Sequence, residues 1–116
     1  MKLCRKIEGR RGFTLIEVMV VTAIVALLAS IAIPNFVKSR EAARRNACIK
    51  NLKTIDEAKH LWGIENAKNE TSTAGRSDLI GTDKYIKQMP VCPSNGSYSF
   101  KNLTETALCS VEGHSY

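Results

Sequence analysis

The sequence predicts an α+β fold: one long N-terminal helix, membrane-spanning at its start and amphipathic further on, packed by a small antiparallel sheet of two or three strands. Three observations carry this prediction. Phe13 to Ile33 is apolar or small at nearly every position, with Glu17 its only charge. Cys48, Leu52, Ile55, Ala58 and Trp62 then recur at helical spacing, and short alternating runs flank a Cys92–Gly96 turn signal near the C-terminus. At helical rise the apolar stretch spans about 31 Å, the thickness of a bilayer's hydrocarbon core.

The leader before it, residues 1–12, is basic. Lys2, Arg5, Lys6, Arg10 and Arg11 stand against Glu8, so the leader holds +4 of the chain's net +6. The remainder carries twelve basic and ten acidic residues, a near balance that indicates no nucleic-acid-binding face. The leader charge reads as a topology signal that keeps the N-terminus in the cytoplasm. The chain divides into the leader, a long helix over 13–68 whose first part (13–33) spans the membrane or forms a filament core, and a headgroup over 69–116.

Three readings compete for the N-terminal segment. A conventional signal peptide would be cut near Ala32, after the small-residue run Ser30-Ile31-Ala32, and Arg10-Arg11-Gly12-Phe13 hints at a twin-arginine variant. An uncleaved anchor is the second. Glu17 disfavours both, because a charge inside the apolar run costs about 2.5–3.5 kcal/mol on insertion scales. The third uses the carboxylate. A cut between Gly12 and Phe13 creates an ammonium at Phe13, four residues from Glu17, and this group can neutralise Glu17 of a neighbouring helix and fix axial register during assembly.

Gly12-Phe13-Thr14-Leu15-Ile16-Glu17-Val18, following a short basic leader and opening an apolar run that ends at Pro34, resembles the class III signal of type IV pilins and type II secretion pseudopilins. The resemblance is close over residues 9 to about 60. It implies a pilin-like fold, cleavage after Gly12 by a prepilin peptidase, N-methylation of Phe13, and retention of the span. It further implies a single-pass protein of the bacterial inner membrane with its N-terminus cytoplasmic. An inner-membrane assembly platform would then polymerise it with copies of itself into a periplasmic or extracellular filament. The alternative is a small secreted disulfide-containing domain released near Ala32.

Within the span, Thr22, Ala26 and Ser30 recur every four residues, a spacing that lets helices approach closely. Pro34 removes a donor and clashes with the Ser30 carbonyl, which loosens or kinks the helix without having to end it. Ser39 to Arg45 reads as a solvated or headgroup-facing turn. On the stripe that follows, Trp62 is expected in the core, while Lys50, Lys53, Asp56, Glu57 and Lys59 fill the other faces and His60 lies at the surface. A helix from Phe13 to about Asn66 would be roughly 80 Å long and makes sense only packed against copies of itself.

In the headgroup, 69–76 is a polar loop and Asp78-Leu79-Ile80 a short helical turn capped by Ser77 or Asp78. An extended piece runs from Tyr85 to Val91. Asn95-Gly96 favours positive φ in a tight turn, and residues 97–100 and 107–111 alternate as strands. Cys92 and Cys109 bracket this hairpin and are the first choice for a disulfide, worth around 3 kcal/mol in the chain-entropy model. Pairing of Cys48 with either one is the alternative, and Cys4 falls in the leader. Cys48, Cys92, Cys109 and His114 have the right ligand types for zinc, but their spacing matches no compact zinc motif, so no metal and no cofactor is expected. The similarity to pilins also suggests a disulfide-pinned C-terminal region. Asn69, Asn95 and Asn102 each open a glycosylation sequon. No Gly-rich phosphate loop or nucleophile elbow occurs, and Cys109 with His114 is the one pair worth naming for catalysis, so an enzyme is not expected.

Overall fold

The computed structural model describes residue 9 and residues 11–116. The expectations for residues 1–8 and for Arg10 lie outside the described residues. The chain forms two compact units, Met1–Val37 and Lys38–Tyr116. Its elements run in the order α1 (Leu15–Glu65), α2 (Arg76–Leu79), β1 (Tyr98–Ser99) and β2 (Leu108–Cys109).

Helix α1 begins with a reciprocal cap. Thr14 N–H donates to Glu17 Oε2 at 2.9 Å, and Glu17 N–H donates to Thr14 Oγ1 at 3.3 Å. This Thr-x-x-Glu capping box satisfies two of the donors a helix start leaves without partners. Through the span the large apolar side chains are exposed, among them Ile16, Leu27 and Ile31. The two hydroxyls fold back on their own helix, Thr22 onto the carbonyls of Val18 and Met19 and Ser30 onto that of Leu27. This is the one helix among the described residues long and apolar enough to cross a membrane. It continues through Pro34 without ending.

The end of α1 is a Schellman turn. Lys68 N–H reaches the Gly63 carbonyl at 2.9 Å and Ala67 N–H that of Ile64 at 3.3 Å, with Ala67 held at φ 49°. That places the last helical residue at Glu65 and not at 68.

The second unit's core is the predicted stripe covered by the headgroup. Leu52, Ile55 and Ala58 pack with Ala74, Leu79, Ile86 and Ala107, while Trp62, Tyr98 and Phe100 lie half-buried against them. Gly63 allows Leu103 in close, since a Cβ there would sit 2.8 Å from its Cδ1. The sheet is two-stranded and antiparallel, with Tyr98 opposite Cys109 and Ser99 opposite Leu108. The segment from Tyr85 to Val91 forms no strand; it contributes only an isolated parallel bridge between Ile86 and Ile80. Helix α2 is capped differently from the sequence expectation. Gly75 stands at the N-cap, and its N–H donates 2.8 Å to the Asp78 carboxylate. Asn95 takes φ 59° in the turn after Cys92, where positive φ was expected.

Two charges assigned to the solvated faces are instead buried. Asp56 and Lys59 are 7% and 1% exposed, Lys59 Nζ lying 2.9 Å from Asp56 Oδ1. Lys59 also donates to the carbonyls of Phe100 (2.8 Å) and Glu105 (2.7 Å). Asp56 accepts from Ala107 N–H at 2.8 Å and from the Tyr116 hydroxyl. The ladder between two strands of two residues cannot satisfy the loop around it, so the helix supplies a cation and an anion to do so. His60 is exposed, as the sequence suggests.

Candidate functional site

The residues expected to carry function fall in two places, one in each unit. Around the start of α1, Gly12, Phe13 and Thr14 precede the helix and are exposed, Phe13 at 91%. The Gly12–Phe13 peptide bond is therefore outside any helical hydrogen-bonding and open to an approaching protein. A Cβ on Gly12 would meet nothing within 4 Å. Phe13, Glu17, Val18, Val21 and Thr22 line a shallow apolar groove along one side of the helix. Glu17 sits at its rim with one oxygen occupied by Thr14 N–H. Sequence reasoning gave the Glu17 carboxylate the freed Phe13 ammonium as partner, within a subunit or, preferably, between subunits; the capping-box spacing Thr14-x-x-Glu17 was the signal for the local role it also plays.

The second place lies against the helix stripe. Cys48 is fully buried on α1, and Cys92 is 1% exposed in the turn that Pro93 and Asn95 shape. Cys109 ends β2, and His114 is buried in the C-terminal tail. The three sulfurs and a His114 ring nitrogen lie within 4.8 Å of one another. Cys92 Sγ is 3.7 Å from Cys109 Sγ and 3.7 Å from His114 Nδ1. All three cysteines are free thiols, including the Cys92–Cys109 pair expected to be bridged. Sequence spacing gave no reason to join these four residues, since 44 positions separate Cys48 from Cys92; the helix and the hairpin bring them together.

Their surroundings differ. Burial pushes the Cys48 thiol up to about 12. For Cys92, burial also raises the value, but N–H groups of Ser94 and Gly96, helped by His114 and Cys48, outweigh it and bring the thiol down to about 6. Tyr98, whose hydroxyl accepts from Asn51 Nδ2 at 3.1 Å, is raised by burial and by the neighbouring thiols.

Residues 9–33 match the prokaryotic N-terminal methylation motif. The type II secretion system core protein G of Klebsiella michiganensis is 29% identical over 78% of this chain and 72% of its own length. The protein of the same name from Escherichia coli is 27% identical over 87% of this chain and 78% of its own. The type IV wide pilus major component PilA4 of Thermus thermophilus is 29% identical over 93% of this chain and 76% of its own. No solved structure gives a significant match. With the methylation motif at the helix start, relatives that cover most of the chain, and a long apolar helix carrying a small two-stranded sheet, the chain is similar to type IV pilins and type II secretion pseudopilins.

Proposed function

We propose that the chain is a structural subunit of a type IV pilus or pseudopilus-like filament, processed by a prepilin peptidase after Gly12 and polymerised through its N-terminal helix. The observation that carries this is the span itself. It is a helix whose large side chains are exposed along its length and whose one charge lies at its start. Such a surface is stable only in lipid or against other helices. In this reading the span meets both in turn, membrane first and filament after.

In this reading the basic leader holds the N-terminus in the cytoplasm and the headgroup lies on the far side of the inner membrane. The peptidase cuts between Gly12 and Phe13, where the backbone is non-helical and exposed, and Phe13 is then N-methylated. An assembly platform draws the subunit out, and the Phe13 ammonium of one copy meets Glu17 of a neighbour in a setting where an uncompensated charge is strongly unfavourable. Pro34 eases the helix where the apolar span gives way to its amphipathic part. The relatives are named as a secretion-system core protein and a pilus component, names that fit a structural subunit.

Mass spectrometry of the protein from sheared cell-surface or periplasmic fibres tests this. A chain beginning at Phe13 with one added methyl, found in fibres visible by electron microscopy, is the expected result. A soluble monomer beginning at Ile33 would overturn it in favour of a secreted domain.

A further inference from the structure

We propose that Cys48, Cys92, Cys109 and His114 form a tetrahedral Cys3His site that holds one structural Zn2+ and pins the headgroup to the long helix. The inference concerns the second unit alone and stands whichever filament, if any, the chain builds.

The separations are those that four ligands around one small ion require. Zn–S bonds of about 2.3 Å and a Zn–N bond of about 2.0–2.1 Å give S···S edges of about 3.8 Å and S···N edges of about 3.5 Å. The Cys92–Cys109 and Cys92–His114 separations are both 3.7 Å, and no pair among the four ligand atoms exceeds 4.8 Å. A disulfide accounts for less. It would draw two sulfurs to about 2.0 Å and leave the third thiol and the imidazole buried beside it with no role. Soft thiolates with an imidazole, four protein ligands and no open position select zinc over hard cations.

The backbone around Cys92 is shaped for a metal-bound sulfur. The Cys92-Pro93-Ser94-Asn95-Gly96 turn closes with Asn95 N–H on the Cys92 carbonyl at 3.0 Å, and the positive φ of Asn95 turns the chain back toward the sulfurs. N–H groups of Ser94 and Gly96 are directed at Cys92 Sγ, a set of donors suited to a metal-bound sulfur. Gly96 is required there. A Cβ would lie 2.6 Å from Cys109 Sγ and 3.2 Å from Cys92 Sγ, so any side chain would intrude between the ligands.

The ligands come from α1, the turn, β2 and the C-terminal tail, four segments that share little other structure. A core of a few aliphatic side chains and two strands of two residues is the kind that a metal completes. Binding replaces up to three thiol protons, which are released to solvent, and leaves the metal–ligand unit with one negative charge. The bound thiolates are also withheld from oxidation in a disulfide-forming compartment.

The test uses the full chain purified in detergent without chelator. About one zinc per chain by inductively coupled plasma mass spectrometry, with Cys48, Cys92 and Cys109 all alkylated after denaturation with chelator, is expected. Cobalt(II) added to the stripped, reduced protein should give a thiolate-to-cobalt charge-transfer band and intense tetrahedral ligand-field bands. Cys48→Ser and Cys92→Ser should each weaken zinc binding by more than about 100-fold, and His114→Cys should retain it with a cobalt spectrum shifted toward four sulfurs. Recovery of a Cys92–Cys109 disulfide without metal would overturn the proposal. So would stripped, reduced protein that takes up neither zinc nor cobalt, or Cys48→Ser and Cys92→Ser proteins that bind zinc as tightly as the parent.

Discussion

Lys59 and Asp56 form a buried ion pair one helical turn apart, and between them they bind the backbone of the headgroup loop at Phe100, Glu105 and Ala107. The pair is thus the polar counterpart of the apolar stripe. It attaches a segment that has almost no sheet of its own. Lys59→Met should destabilise the headgroup by about 3–5 kcal/mol, because it leaves Asp56 charged, buried and without its cation. Chemical denaturation followed by the fluorescence of Trp62, the sole tryptophan, reads this directly. Combined with Asp56→Leu the loss should fall short of the two single losses added, since neither charge is then left alone.

Glu17 has a local partner in Thr14 and, in the assembly proposed here, a second one in another subunit. The two roles separate by substitution. Glutamine preserves the acceptor a capping box needs but carries no charge. Glu17→Gln should therefore leave helix start and membrane insertion intact while sharply lowering filament yield, and Glu17→Ala and Glu17→Val should lower it likewise. Filament yield from sheared cells is the measurement; a normal yield from Glu17→Gln alone would assign the residue to capping.

Gly12 is exposed and has open space where a side chain would go. Gly12→Val should accordingly leave the fold and insertion unchanged yet allow the full-length precursor to accumulate, visible as a band heavier by the leader on gels and confirmed by N-terminal sequencing. The loss would then belong to recognition by the peptidase and not to misfolding.

Ala67 occupies the left-handed position of the Schellman turn that ends α1, at φ 49°. A Cβ in that region costs on the order of 1–2 kcal/mol, which glycine avoids. Ala67→Gly should raise the denaturation midpoint by an amount equivalent to about 1 kcal/mol, with no change in assembly.

The features legible in the sequence are those set by neighbours along the chain. The apolar run from Phe13, the acid within it, the stripe from Cys48 to Trp62 and the Asn95 turn depend on local spacing, and each is found where its period puts it. Even where the reading fell short nearby, at Thr14–Glu17 and at the Gly75 cap, a local pattern existed to be read. What lay beyond it was set by contacts between residues far apart along the chain. Helical periodicity places Asp56 and Lys59 on polar faces, because it has no knowledge of a loop from residues 100–107 that arrives with carbonyls and an amide to be satisfied. The same holds for Cys48, Cys92, Cys109 and His114. Their chemistry is plain in the composition, but a ligand set is a distance relation, and only the packing of hairpin and tail on the helix brings those four atoms within reach of one ion.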